Sequence, residues 1–359
     1  MKGLRKYLTP FAPDQSGAVS VLYELGGMLV ICDAGGCTGN VCGFDEPRWF
    51  ETRSAVFSAG LRDMDAILGR DDRLVAKLAD AAEKLDVTFA AVIGTPVPAV
   101  IGTDYRALER MLSKKTDLSV LTVNTDGMEL YDKGEEKAYL ALFEKFSDKN
   151  EESEDMNDKD RPRIGIIGMT PQDVSDLKAA DKIRKVYADQ GMCAICYGMG
   201  DGLDEVRNAS LAAKNVVVSP AALKAAQYLQ KKFGTPYEIA YPLASELVPE
   251  VNYQGKKTLI VQQQVIANAV RKEIEKRTGE KEAITTATWF MRKEEILTDL
   301  NVDAADDISL KEEDDFISLV EKEGYDVIFA DPCMERMIPG FEGTFIPLTH
   351  FAVSGKLNV

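Results

Sequence analysis

Three cysteines lie within eleven residues near the start of the chain, at Cys32, Cys37 and Cys42 of the stretch CDAGGCTGNVC. Thiolates are ligands of zinc sites and iron–sulfur clusters, and glycine-rich backbone can approach such a group closely. Cys37 and Cys42 are expected in a loop beyond a strand end, whereas Cys32 is expected to point into the sheet. Two loop thiols do not complete a four-ligand site, but two chains on a two-fold axis would supply four. The alternative is a compact turn whose cysteines only fill space.

The other thiols and the single histidine give weaker indications of chemistry. Cys193 and Cys196 form a C-x-x-C motif inside an apolar strand, where they face opposite sides and are therefore predicted to be core residues. Cys333 follows Pro332 at another strand end, which is a plausible site position. Any Ser-His or Cys-His mechanism must use His350, the only histidine, but no G-x-S-x-G motif accompanies it and a lone histidine is more often structural.

Phosphate-binding motifs are missing from the sequence. Neither G-x-G-x-x-G at the start of a helix nor G-x-x-x-x-G-K-[ST] occurs. The string YGMGDG at 197–202 is typical of an ordinary turn between a strand and a helix. We therefore do not expect this chain to hydrolyse a nucleotide itself.

Short apolar runs alternate with amphipathic helical stretches, such as 71–85 and 221–234, along the whole chain. Buried β-branched runs separated by helices indicate parallel sheets covered on both faces. The fold class predicted is α/β, with three doubly wound, Rossmann-like parallel-sheet units. The predicted strands lie at 27–34, 88–95, 118–125, 163–170, 192–198, 215–219, 258–263 and 325–332.

Two changes in composition divide the chain. The acidic, nearly apolar-free segment 147–161 is predicted to be an exposed linker. A second boundary is placed before 249–257, where Pro, Asn and Gly precede a new strand. The domains predicted are 1–146, which carries the cysteine loop, 162–248 and 249–359.

Net charge and cysteine use restrict the possible partners. A formal net charge of −16 argues against nucleic-acid and anionic-membrane partners, because both need a positive surface. No run approaches the roughly 18–20 apolar residues of a membrane span. Six cysteines in 359 residues are too sparse for a disulfide framework, so a cytoplasmic protein is expected.

Long stretches of the chain resemble the component 1 subunits of nitrogenase and of nitrogenase-like reductases. The segment LVICDAGGCTG at 29–39 is similar to the strand and Gly-Cys loop that holds one ligand of the family's bridging iron–sulfur cluster. Residues 58–108, 164–237 and 325–348 resemble the stretches that follow it in the first, second and third domains. The resemblance implies a separate ATP-hydrolysing iron–sulfur reductase as partner and a small-molecule substrate.

The cluster cysteines of the family are only partly kept. One matches Cys37, whereas another would fall near Ala12 or Pro13 and the third falls at about Pro96. Cys42 is additional. The resemblance thus implies a cluster, but not through the family's full ligand set.

The cofactor residues of nitrogenase are also altered. The cysteine that anchors the iron–molybdenum cofactor would fall near Ser219, and His350 lies within one residue of the family's cofactor histidine. A dinitrogen-reducing site is therefore not expected. In length the chain is closer to the minimal reductases of tetrapyrrole chemistry.

The resemblance implies an enzyme, namely a reductase component that receives electrons through a 4Fe–4S cluster shared between two chains. The dimer would be a homodimer or a heterodimer with a similar subunit. Two alternatives stay open: a non-catalytic scaffold or carrier for metal-cofactor assembly, and a small-molecule-binding protein that has lost the cluster. The expected site residues are Cys37 and Cys42 as metal ligands; Gly36, Gly39, Pro96 and Cys333 as further cofactor contacts; and His350 and Ser219 as catalytic residues.

Overall fold

The structure is a computed structural model that describes residues 5–62, 71–148, 161–279, 281 and 283–358. Within these residues the chain forms three parallel sheets, with strands between residues 28–123, 163–239 and 258–347. Helices connect the strands, so the predicted α/β class with three parallel-sheet units is confirmed. Most of the predicted acidic linker, residues 149–160, lies outside the described residues.

The first sheet has four strands in the order β2-β1-β3-β4. Its central strand β1 is buried at every position, which is why its sequence is a continuous apolar run. The strands are β1 (Met28–Ile31), β2 (Ala55–Ser58), β3 (Phe89–Ile93) and β4 (Ser119–Val123). The helices are α1 (Asp14–Leu22), α2 (Gly36–Asn40), α3 (Asp71–Ala82), α4 (Pro96–Ile101), α5 (Tyr105–Lys115) and α6 (Tyr131–Phe146), with a π-helical segment at Val41–Asp45 and a 3-10 helix at Pro47–Phe50.

The second sheet also has four strands, in the order β6-β5-β7-β8. Its strands are β5 (Arg163–Ile167), β6 (Cys193–Tyr197), β7 (Lys214–Val217) and β8 (Tyr237–Ile239). Its helices are α7 (Pro171–Val174), α8 (Ala179–Ala188), α9 (Leu203–Arg207), α10 (Leu223–Phe233) and α11 (Ala244–Leu247), with 3-10 helices at Ala209–Leu211 and Pro220–Ala222.

The third sheet has five strands, in the order β11-β10-β9-β12-β13. Its strands are β9 (Thr258–Val261), β10 (Ile284–Thr288), β11 (Asp307–Ser309), β12 (Val327–Ala330) and β13 (Thr344–Pro347). Its helices are α12 (Gln264–Thr278), α13 (Glu294–Leu300), α14 (Glu313–Glu323) and α15 (Phe351–Ser354), with 3-10 helices at Ala304–Asp306 and Pro332–Met337.

Helix α6 joins the first sheet to the second. Its residues Leu142 and Phe143 pack in one apolar cluster together with side chains from both sheets. Its Tyr139 hydroxyl donates to the carbonyl oxygens of Met169 and Tyr197, in the second domain. The same helix crosses α1 closely. The domains therefore share a core rather than meeting only through exposed loops.

Residues 6–9 are hydrogen-bonded to the third domain. The Glu313 carboxylate at the start of α14 accepts hydrogen bonds from the backbone N–H groups of Lys6, Tyr7 and Leu8. The hydroxyl of Thr9 donates to the carbonyl of Val353 in α15. In the described part of the chain, no helix is long and apolar enough to cross a membrane.

Candidate functional site

The cysteine stretch is helical, so the loop predicted for it is wrong. Gly35 adopts a left-handed backbone conformation (φ 117°), and α2 begins directly after it. The Asp33 carboxylate accepts from the backbone N–H and hydroxyl of Thr38 and from the Ser58 hydroxyl. This side chain supplies a partner to the first turn of α2, as helix-capping carboxylates do, and favours a helix where the glycine count indicated a loop.

Cys37 lies in the first turn of α2 and is half-buried. Its thiol lies beside the hydroxyl of Thr95, which donates to the Cys32 carbonyl and directly precedes Pro96 at the start of α4. Burial raises the pKa of the Cys37 thiol, the Asp33 charge raises it further, and the Thr95 hydrogen bond lowers it. The structure thus places Cys37 next to the turn that contains Pro96.

Cys42 lies in the π-helical segment and is also half-buried. Burial raises the pKa of its thiol, and the Glu46 carboxylate adds to this shift. Single π-helical turns are rare and occur frequently at functional sites. Because burial raises the pKa of both thiols, Cys37 and Cys42 are protonated at neutral pH in a chain that holds no metal.

One chain offers two free thiols here but not a complete metal site. Within the described residues, no group of three or more His, Cys, Asp or Glu side chains is arranged to hold a metal ion. Cys37 and Cys42 are two of the four thiolates that a 4Fe–4S cluster takes. A Cβ atom added at Gly36 or Gly39, on the same helix, would meet no atom within 4 Å, so the space around it is open. A four-thiolate site is therefore not complete within the described residues of one chain.

Exposed apolar side chains lie on the segment that follows the cysteine helix and on two segments at the Pro96 turn. Phe44 of the π-helical segment is 76% exposed, Val100 of α4 is 86% exposed and Met128 is 81% exposed. Met128 follows Gly127, which packs against the ring of Pro96. We call this surface, formed by α2, the π-helical segment, α4 and the loop at Met128, the cysteine face. Exposed apolar patches of this kind mark interaction surfaces.

His350 is buried at the junction of the three domains. Its Nε2 atom lies 3.3 Å from the Tyr131 hydroxyl of α6 and 3.7 Å from Oδ1 of Asp173 in α7. Its backbone N–H donates to the carboxylate of Asp331, and its ring packs edge-on against Phe290. The only histidine of the chain therefore joins the three domains, and its side chain is closed off from solvent.

Ser219 is buried and its hydroxyl has a structural partner. The Ser219 hydroxyl oxygen accepts from the backbone N–H of Ala221, at the start of the short helix Pro220–Ala222. The carbonyl of Val218, one residue before, accepts from the side chain of Gln263. The residue before His350, Thr349, is bonded in the same way by Gln262. Gln262 and Gln263, which follow β9, thus bond the residues directly before His350 and Ser219. The side chains of Ser219 and His350 themselves have separate partners.

The other four cysteines are buried or half-buried and pack against the apolar clusters. Cys32 and Cys196 are buried; Cys193 is half-buried and packs on the opposite face of β6 from Cys196. Cys333 is half-buried in a 3-10 helix, where burial first and the Asp331 carboxylate second raise the pKa of its thiol well above the ordinary value. The structure does not bring Cys333 to the cysteine face, since it packs in the apolar cluster of the third domain.

Comparison with known proteins decides the family. A sequence profile described as "Nitrogenase component 1 type Oxidoreductase" matches residues 14–243, which is more than half of the chain. The chain belongs to the nitrogenase component 1 family. No curated protein matches it.

Solved structures show the nitrogenase component 1 fold over nearly the whole chain. The structure of nitrogenase Cp1 at pH 6.5 matches with a TM-score of 0.70 and 12% identity, over 97% of this chain and 87% of that one. The structure of nitrogenase Cp1 at pH 5 matches with a TM-score of 0.69 and 14% identity, over 98% of this chain and 85% of the other. At these identities the likeness shows the fold.

Sequence reasoning missed one group of residues in this nitrogenase component 1 chain, the buried acids beside His350. Glu135 is fully buried; burial first and the Asp173 charge second raise the pKa of its carboxyl well above the usual range. Burial raises the pKa of Asp132 to about 6. A helical pattern could have found Glu135, because it is four residues from both Tyr131 and Tyr139 and therefore on the apolar face of α6.

Proposed function

We propose that this chain is the substrate-reducing component of a nitrogenase-like reductase, with a 4Fe–4S cluster shared between two chains. Family membership supports the reaction class. The single observation that carries the proposal is the pair of half-buried thiols, Cys37 of α2 and Cys42 of the π-helical segment, with exposed apolar side chains on nearby segments. Such a surface favours a second chain, and a second chain would complete the set of thiolates.

The cluster would be held by Cys37 and Cys42 of each chain. When bound, it supplies a one-electron carrier at the interface. Within the chain, the Thr95 hydroxyl lies beside the Cys37 thiol and donates to the Cys32 carbonyl, and the Asp33 carboxylate orients the helix that carries Cys37 through Thr38. The second chain is a copy of this one or a similar subunit.

Electrons would come from a separate ATP-hydrolysing iron–sulfur protein. The family implies this partner, and the lack of a phosphate-binding loop in this sequence agrees with it. The electrons would reduce a small molecule close to the cysteine face. We expect a cytoplasmic protein with no nucleic-acid or membrane partner, since the net charge is −16.

A scaffold or carrier for a metal cofactor is the second candidate. Its support is the interior of the molecule, where Ser219 caps a helix and His350 is bonded to Tyr131, so neither side chain faces open space. A chain of this kind would hold a cluster on the cysteine face without reducing a substrate. A small-molecule-binding protein without a cluster is the remaining alternative.

The presence of the cluster is tested by iron and acid-labile sulfide analysis of anaerobically purified protein. We expect about four iron atoms for each pair of chains. The variants Cys37→Ala and Cys42→Ala should each lose the iron. The matched control is Cys196→Ala, which removes a buried thiol far from the cysteine face and should keep the iron although it lowers stability. Wild-type protein that stays colourless after reconstitution with iron and sulfide would rule out the cluster.

Electron transfer separates the reductase from the scaffold. The oxidised cluster is mixed with the ATP-hydrolysing partner and dithionite, and its visible absorbance is followed with and without ATP. A reductase component should be bleached only when ATP is present. A cluster that the partner never reduces would favour the scaffold.

A further inference from the structure

The π-helical segment that carries Cys42 is closed and held at Glu46, the residue that follows it. The backbone N–H of Glu46 donates to the Val41 carbonyl, across the whole turn. The Glu46 side chain is 1% exposed, and its carboxylate accepts from the backbone N–H of Arg48 at the start of the 3-10 helix Pro47–Phe50. The position of Cys42 therefore depends on where the Glu46 side chain is fixed.

Arg48 is buried and uses all five N–H groups of its guanidinium. Its Nε and Nη2 atoms donate to the two carboxylate oxygens of Glu46, at 2.8 and 2.7 Å. Nη2 also donates to the Ser20 carbonyl of α1. Nη1 donates to a carboxylate oxygen of Glu24, at 3.0 Å, and to the Gly198 carbonyl, at 2.9 Å. A planar guanidinium can make this set of bonds, whereas the compact ammonium of a lysine has only three donors.

These bonds reach from the first domain into the second. Gly198 and Gly200 belong to the turn that follows β6. Glu24 accepts from Arg48 with one carboxylate oxygen and from the backbone N–H of Gly200 with the other. Both glycines have a positive φ, at 94° and 87°, so the turn has a backbone shape that other residues rarely adopt. The turn of the second domain is thus bonded to the residue that holds Glu46.

The guanidinium of Arg48 is charged although it is buried. Burial lowers its pKa, but the carboxylates of Glu46 and Glu24 outweigh burial and hold the pKa above its ordinary value. The ring of Tyr23 lies 4.8 Å from the guanidinium carbon and adds a cation–π contact. Bidentate bonds between a guanidinium and a carboxylate fix direction as well as distance.

Cys37 is held by a different set of contacts. Helix α2, which carries this thiol, is bonded to the Asp33 carboxylate through the N–H and hydroxyl of Thr38. These groups belong to the first domain, as does Thr95 beside the thiol. The two thiols therefore depend on different neighbours, and only the segment of Cys42 is bonded through Arg48 to the second domain.

We propose that Arg48 is a positioning residue that fixes Cys42, but not Cys37, relative to the second domain. It acts through Glu46, and the turn at 198–200 acts through Arg48. In the iron-free chain the inference concerns the Cys42 thiol alone. For the cluster it rests on the proposed function, because a displaced turn would then move one of the two thiolates that each chain presents.

Alkylation of the iron-free protein with iodoacetamide, resolved by mass spectrometry of the peptides, tests the positioning role. We expect Cys42 of Arg48→Lys to react at least about fivefold faster than in the wild type, since a segment that loses its bonds opens more often. Cys37 and Cys193 should keep their wild-type rates. Lysine keeps the positive charge, so the buried Glu46 is not left without a counter-ion. The matched control is Arg53→Lys, at an exposed position, which should change none of the three rates.

A second variant, Glu24→Gln, decides the matter if Arg48→Lys unfolds the chain. The Glu24 side chain is 22% exposed, and glutamine keeps its shape but replaces one acceptor oxygen by an N–H donor. One bond between the domains is lost, so Cys42 should again react faster while Cys37 and Cys193 do not. An unchanged rate at Cys42, or equal acceleration of all three cysteines in both variants, would overturn the inference.

Iron release to a chelator tests the same residue in the iron-loaded protein. We expect Arg48→Lys to release iron about tenfold faster, a typical effect of losing a group that orients a metal ligand. Selective reaction of Cys42 in a protein that takes up no iron would support the positioning role and reject the cluster. An iron-loaded protein in which Arg48→Lys changes neither the Cys42 rate nor iron release would reject the positioning role and leave the cluster intact.

Discussion

Buried ionisable side chains meet at the junction of the domains, and the Glu135 carboxyl is fully enclosed among them. Its Oε1 atom accepts from the Thr170 hydroxyl, at 2.6 Å, while its Oε2 atom has no partner in the described part of the chain. Asp173 receives the Tyr131 hydroxyl on Oδ1, and its Oδ2 atom is likewise without a partner there. Two carboxyl groups in such surroundings favour a state in which one holds a proton.

We predict that Glu135→Gln makes stability less dependent on pH. The pKa of Glu135 is raised in the folded chain, so between the ordinary carboxyl pKa and the raised one the folded state holds a proton that the unfolded state has released. The free energy of unfolding then falls as the pH rises, by up to about 1.4 kcal/mol per pH unit below the folded-state pKa. A glutamine is always neutral, so this part of the slope should disappear.

Denaturant unfolding at pH 5, 6, 7 and 8 measures this slope. The control is Glu144→Gln, an exposed position on the same helix, which should follow the wild-type curve. The difference between Glu135→Gln and the wild type should grow with pH in favour of the variant. Parallel curves for these two proteins would show that Glu135 is ionised in the folded chain.

At the scale of elements, the crossing of α1 and α6 depends on two glycines. A Cβ atom at Gly134 would overlap the carbonyl oxygen of Asp14, and one at Gly17 would overlap the carbonyl oxygen of Tyr131. The helices can approach this closely only where side chains are missing. This contact fixes the start of α6, and with it Tyr131, against α1.

We predict that Gly134→Ala lowers the free energy of unfolding by at least about 2 kcal/mol, because the added methyl group separates the two helices. The higher helix propensity of alanine offsets about 1 kcal/mol at most. The control, Gly202→Ala, has no atom within 4 Å of the added methyl group and no positive φ, so it should change stability by no more than about 1 kcal/mol. Equal unfolding midpoints in urea for the two variants would contradict the close crossing.

Strands were predictable from the sequence where they are covered on both faces. Each of the eight predicted strands overlaps one in the structure. The strands that the apolar runs did not reveal are β2, β8, β10, β11 and β13. Four of these are edge strands, which are covered less completely, and β10 is the threonine-rich ITTAT. An apolar run indicates burial rather than strand pairing. The edge strands and β10 therefore have no apolar run that would reveal them.

The candidate site was predictable only in part for a related reason. The helix at Gly36–Asn40 depends on the Asp33 carboxylate and on the conformation of Gly35. The number of glycines in the stretch predicts neither of these. The bonds of Arg48 join segments distant in sequence, which local patterns do not bring together. The proximity of Cys37 to the Pro96 turn came from the resemblance, and the structure places the two as neighbours through Thr95.

For the molecule as a whole, the proposed cluster requires a second chain at the cysteine face. One chain offers two thiols there, and it exposes Phe44, Val100 and Met128 on nearby segments. The two thiols and the apolar side chains would both be accounted for by a two-fold pair, since a symmetric interface presents each group twice. The central claim is therefore the number of chains for each cluster.

Native mass spectrometry of the anaerobically purified protein measures that number directly. We expect a particle of two chains with one 4Fe–4S cluster, and for Cys37→Ala a particle without iron. Either a single chain that carries its own cluster or an iron-free protein after reconstitution would contradict it.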